Sequence, residues 1–262
     1  MTSQFLRSSQ AERLRLVDSL ESRRLSRRQG AEHLAAKLSN AGPKGRGCLI
    51  SRRKIRYNMV LDLEGRYADR AYQILASLIT PRPIALVTTV GPDGIVNAAP
   101  FSFFNILGAT PPIVALAPGD RDDGSPKDTA RNIRLNQEFV INLVDEAIAE
   151  AMNRCAATLP YGVSELPFAG LTAAPSSVVR PPRIAEAPAS LECSEWGTLL
   201  IGENRVVIGL VKRVHLRDEF FDREKSRVLG DKLTLIGRMA APHWFCRTRE
   251  RFEMRRPAWN VG

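Results

Sequence analysis

The 262-residue chain is 44% hydrophobic and 25% charged, enough apolar material for a buried core. It has no run of about eighteen apolar residues, which excludes a membrane-spanning helix, and no apolar signal core near its start. The net charge of +10 suggests nucleic-acid binding, but residues 1–58 hold 14 Lys and Arg against 4 Asp and Glu, and the rest carries 24 of each; the body has no basic footprint of the kind that grips a phosphate backbone.

Residues 1–58 read as a separate, basic segment. "AERLRLVDSLESRRLSRR" spaces its leucines for a short amphipathic helix, and "NAGPKGRG" breaks it. Three readings compete: an arm for nucleic acid or acidic lipid, a targeting peptide, or a poorly ordered extension upstream of a natural start at Met59. "SRRLSRR" lacks the apolar stretch that a twin-arginine signal needs, and the third reading is preferred. The expected domain is then 59–262.

From Tyr67 the chain alternates short strands and turns. "DRAYQILASLI" reads as a helix that stops before Pro81. "IALVTTV" (84–90) is a β-branched strand, "GPDG" (91–94) a hairpin turn, and "IVNAAPFSFF" the returning strand. "IVALA" (113–117) and "FVINLV" (139–144) are further strands, with a helix over "DTARNIRLN" between them and another over "EAIAEAMNRCAA" after. "PASLECSEWGTLLIG" and "RVVIGLVKRVHL" form a last strand pair around a turn at Glu203–Asn204. Many short strands with few helices point to a mainly β fold, a barrel.

Several chemistries are missing. There is no G-x-S-x-G elbow, no G-x-G-x-x-G after a strand and no Walker sequence. The three histidines (His33, His215, His243) and four cysteines (Cys48, Cys155, Cys193, Cys246) form no metal-ligand spacing, and isolated thiols fit a reducing cytoplasm. Asp122-Asp123 and Asp218-Glu219 read as solvated turn charges.

Two stretches carry more. In "GSPKDTARNI" (124–133) a Gly-Ser-Pro loop enters a helix at Asp128 and Thr129, with Lys127 just before and Arg131 in the first turn. This is either a phosphate seat or an ordinarily capped helix start. In "NAAPFSFFN" (97–105) Pro100 interrupts an apolar strand where a ladder donor is expected. Either the strand is irregular and its phenylalanines are core, or its backbone faces a ligand.

Taken together, "TPRPIALVTTVGPDGIVNAAPFSFFNILGATPPIV", "PKDTARNI", "FVINLV", "RPPRIAEAPASLEC", "NRVVIGLVKRVHL", "IGRM" and "FEMRRP" resemble, in order, the flavin reductase-like family. The resemblance covers about Tyr67 to Pro257. It implies the FMN-binding split barrel, a six-stranded Greek-key β-barrel with a few peripheral helices. It also implies a homodimer with FMN near the subunit interface, and hydride transfer from NADH or NADPH to the flavin, which needs no catalytic protein residue and no metal. Carried over by position, Ala99, Pro100, Phe101 and Ser102 face the flavin ring. Thr88 and Thr89 contact the ribityl chain or phosphate, Lys127, Asp128 and Thr129 form the phosphate side, and Arg82 is a second phosphate cation. Asn97 and Asn105 are further candidates. His215 is read as a structural strand residue or a nicotinamide neighbour, and Trp196 and Trp244 as core or interface aromatics. The leading reading is an NAD(P)H-dependent flavin oxidoreductase, with a monooxygenase as a candidate partner that takes the reduced flavin. The alternative is an FMN-binding electron carrier without nicotinamide turnover; a third, acting through the basic arm, is a nucleic-acid- or membrane-associated protein.

Overall fold

The computed structural model describes residues 59–240 and 242–259; the expectations for residues 1–58 lie outside them. Helix α1 (Ala71–Leu78) leads into β1 (Arg82–Pro83), β2 (Ala85–Val90), β3 (Val96–Phe101), β4 (Phe104–Ala109) and β5 (Pro112–Leu116). Then come α2 (Asp128–Asn136), β6 (Glu138–Leu143), α3 (Ala149–Arg154), α4 (Glu165–Ala169), β7 (Ala173–Ala174) and β8 (Arg183–Ile184). The long strands β9 (Ala189–Ile201) and β10 (Asn204–Leu216) are followed by β11 (Phe221–Asp222), β12 (Arg227–Val228), β13 (Ile236–Arg238) and β14 (Phe245–Arg247).

Seven strands form one sheet in the order β3-β2-β6-β9-β10-β5-β4, and every pairing is antiparallel. The two edge strands are joined by Ser102 and Phe103 alone. Three Cα steps reach at most about 11 Å, whereas the edges of a flat seven-stranded sheet stand roughly 29 Å apart. The sheet must therefore curl until its edges meet, which makes a barrel. Counting β3 and β4 as one strand bent at Ser102-Phe103 gives the six strands expected; the bend carries no turn signature, and β4 was not foreseen as an element.

Period-2 alternation sorts the side chains into two cores. Ala85, Val87, Phe139 and Ile141 point into the barrel with Phe101, Leu116, Cys193 and Val207, and Ile133 of α2 joins them. Leu86 and Ala98 point outward, under Met152 of α3, Leu166 of α4 and Ile184 of β8. Both faces of β2 are thus covered, so residues 85–89 are all buried. The hairpin turn after β2 closes as expected, with the Gly94 amide donating to the Gly91 carbonyl (3.1 Å). The turn between β9 and β10 falls one residue earlier than expected, where Gly202 supplies a φ of 58°. Trp196 and Trp244 are exposed rather than core.

Candidate active site

Strand β3 is an edge of the sheet, and its outer side is not left to water. The Ala98 amide donates to Glu165 Oε2 (2.8 Å), so it points away from β2. N–H directions alternate along an antiparallel strand, so position 100 points the same way as position 98. A proline there removes no bond from the β2 ladder, and its carbonyl is left on the outer edge. That is why Pro100 is compatible with a regular β3.

At one end of this edge stands the start of α2. Neither Asp128 nor Thr129 caps it: the N-cap position is Lys127, and no side chain bonds the first amides. The Asp128 carboxylate instead accepts from Arg121 Nη2 (2.7 Å), and the Thr129 hydroxyl accepts from Asn97 Nδ2 (3.0 Å). The opening N–H groups of the helix have no acceptor among the described residues and carry its partial positive charge.

Between these features lies a cavity of about 280 Å³. It brings together seven of the twelve expected site residues: Asn97, Ala99, Pro100, Phe101, Lys127, Asp128 and Thr129. The far wall is Cys155–Leu159 and Glu165. The Cys155 thiol is pushed up to about 12 by burial and by the neighbouring Glu165, so it stays protonated. Arg121, which also lines the cavity, escaped the sequence reading because "GDRDDG" looks like a solvated turn. Its signal was the basic side chain seven residues before Asp128 in a Gly-bounded loop. Asp120, which accepts from Arg205 Nη2 (3.0 Å), ties that loop to β10.

The other five candidates lie elsewhere. Arg82 is 6% exposed and donates to the carbonyls of Ala76 (2.6 Å), Ile79 (2.9 Å) and Met239 (3.0 Å) and to the Ser102 hydroxyl (3.4 Å); its guanidinium is committed to these partners and is not a free phosphate cation. Thr88 and Thr89 are fully buried. The Thr88 hydroxyl donates to the Pro182 carbonyl (2.5 Å) and the Thr89 hydroxyl accepts from Asn132 (3.0 Å), so neither reaches the cavity. Ser102 and Asn105 line a second, more apolar cavity of about 380 Å³ with Arg82, Phe103, Leu107 and Ile79.

His215 is structural in this arrangement. Its Nε2 lies 2.5 Å from Glu192 Oε1, and the fully buried Glu192 also accepts from the Ser177 and Val178 amides (2.6 and 2.7 Å). Burial alone would raise the Glu192 carboxyl, but these amides and His215 outweigh it and the net shift is downward. The group pins the 175–182 segment to β9 and β10. Among the described residues no cluster of His, Cys, Asp and Glu could hold a metal, and no helix is long and apolar enough to cross a membrane.

The flavin reductase like domain model matches residues 77–232. The chain belongs to the flavin reductase-like family. A Deinococcus radiodurans relative, described only as an uncharacterized protein, is 42% identical over 200 residues, 74% of this chain and 88% of its own. Among solved structures, nitrilotriacetate monooxygenase component B from Bacillus cereus is 32% identical, with a TM-score of 0.72 over 76% of this chain and all of its own. The Pseudomonas fluorescens 2-nitrobenzoate 2-nitroreductase is 34% identical, with a TM-score of 0.69 over 78% of this chain and all of its own. Flavoredoxin of Desulfovibrio vulgaris, at 18% identity and a TM-score of 0.61 over 75% of this chain and 97% of its own, shares the split-barrel fold.

Proposed function

We propose that this family member binds FMN in the cavity beside β3 and uses it to pass reducing equivalents from NADH or NADPH to an acceptor. One observation carries the reading: the uncapped start of α2 and the β3 residues Asn97, Ala99, Pro100 and Phe101 line one cavity. These residues fit the cofactor's chemistry. The helix amides, Lys127 and Arg121 would hold the phosphate, and the Pro100 carbonyl offers an acceptor to a ring edge. Bound flavin supplies the hydride chemistry; the chain supplies position and charge.

The Arg121–Asp128 pair holds the guanidinium at the cavity wall and keeps the Asp128 charge from repelling a phosphate. The burial of Ala98 in the outer core and of Phe101 in the barrel keeps water off both faces of the strand. The two solved relatives above 30% identity suggest two kinds of acceptor, free flavin for a monooxygenase or an aromatic substrate reduced in place. A homodimer fits the exposed apolar side chains of Leu75, Ile79 and Leu107 around the second cavity, and a reducing cytoplasm fits the free thiols of Cys155, Cys193 and Cys246.

The test is the visible spectrum of the full chain mixed with FMN, followed by NADH or NADPH without oxygen. Flavin that co-purifies or binds, and then bleaches, supports the oxidoreductase. Bound flavin that stays oxidised with both nicotinamides, but bleaches with dithionite, turns the assignment to an electron carrier. A chain that binds no FMN removes both.

A further inference from the structure

Glu165 is a buried carboxylate whose placement the fold does not fully use. It is 6% exposed and heads α4, 67 residues from the strand it serves. Its Oε2 accepts from the Ala98 amide at 2.8 Å, which closes the outer edge of β3. The strand needs only that oxygen. No other described residue bonds Oε1, yet it is not among the buried side-chain atoms left without a partner, and Glu165 lines the cavity.

Among the described residues no cation compensates it. The charged group that acts on it is a carboxylate, Asp128, which raises its affinity for a proton; Glu165 in turn raises that of the Cys155 thiol. Arg121 pairs with Asp128, not with Glu165. A poorly solvated carboxyl with one open oxygen is costly unless something else bonds it.

Its level in the cavity identifies that something. Asn97 meets Thr129 at the start of α2, Ala98 meets Glu165, and Pro100 lies two residues on. Strands rise about 3.3 Å per residue, so Glu165 stands between the anion-binding end and the Pro100 end, roughly 10 Å apart along β3. A ligand with an anion at one end and a ring at the other passes its linking chain across Oε1. We propose that Glu165 is the residue that recognises the polyhydroxyl chain of the ligand, with Oε1 bonded to a chain hydroxyl. This rests on the FMN reading above.

The experiment is a fluorescence titration of the full chain with FMN, riboflavin and lumiflavin, which lacks the polyol, for wild type, Glu165→Ala and Glu165→Gln. The riboflavin-to-lumiflavin affinity ratio reads the polyol; the FMN-to-riboflavin ratio reads the phosphate seat. Glu165→Ala is expected to lower the first ratio about tenfold, the loss of one hydrogen bond to a charged group, and to leave the second within about twofold. Glu165→Gln keeps an oxygen for the Ala98 amide and turns its NH2 to the cavity, and should lower the first ratio about threefold. It carries the test should Glu165→Ala fail to fold by circular dichroism. Equal weakening of all three ligands in the folded variants would show that Glu165 only braces β3, and would overturn the inference while leaving the FMN reading intact. Failure of wild type to bind FMN would remove the reading itself.

Discussion

Replacing Arg82 separates architecture from ligand binding. Its guanidinium ties the end of α1 to the segment after β13, through the carbonyls of Ala76, Ile79 and Met239. Ala76 is 1% exposed, so its carbonyl cannot rehydrate when the donor goes, which costs about 1–3 kcal/mol. The other two carbonyls are part-buried and can take water, at about 0.5–1 kcal/mol each. Arg82→Ala should then lose about 2–5 kcal/mol of stability. With a urea slope of about 2 kcal/mol/M, the unfolding midpoint falls by about 1–2.5 M. Arg82→Lys keeps a cation but not the planar fork and should recover about half. The assay is urea unfolding followed by tryptophan fluorescence, with FMN titration of the folded fraction alongside. FMN affinity should stay within about twofold in both variants. A wild-type midpoint together with lost FMN binding would refute the reasoning and return Arg82 to the phosphate site.

The exposed Lys127 is expected to behave in the opposite way. Lys127→Ala should weaken FMN about tenfold, spare riboflavin and leave the unfolding midpoint unchanged; Arg121→Ala should weaken FMN further, because it also frees the Asp128 charge beside the phosphate. Gly209→Ala would drive a Cβ into Phe139 Cζ inside the barrel, and should cost about 1–3 kcal/mol in chemical unfolding; adding Phe139→Leu should recover part of it, and simple additivity would contradict the packing. The two buried glutamates should give opposite pH dependences when stability is measured across acid pH. The lowered Glu192 contributes stability above the ordinary Glu value of about 4.3 that is lost as pH falls through its folded value, and Glu192→Gln should flatten that acid loss. The raised Glu165, shifted by burial first and by Asp128 as well, makes stability fall as pH rises from about 4.3 through its folded value, and Glu165→Gln should remove that fall.

The hairpin of β2 and β3, the α2 helix and the long β9–β10 pair were legible because each is local. β-branched alternation, a Gly-Pro-Asp-Gly turn and a helix start lie within a few residues of one another. What escaped depends on distance along the chain. Whether Arg82 in "PRP" faces water or three carbonyls is decided by Met239, 157 residues away. Thr88 and Thr89 alternate as one exposed and one buried residue on a half-covered strand would, and only the Pro182 segment over Thr88 and helix α2 over Thr89 bury both. Glu165 sits in a five-residue helix containing Pro167, too short for a periodic signal. Asn97 and the Ala99–Phe101 run were readable because a proline inside a good strand demands an explanation, and the edge position of β3 supplies it.

A crystal structure of the full chain with FMN is the most direct test of the account. The phosphate is expected within hydrogen-bond reach of the first amides of α2 and of Lys127, with a ring edge against the outer side of β3 at Pro100. FMN seated in the cavity between Ile79 and Leu107, with its phosphate on Arg82, would contradict it.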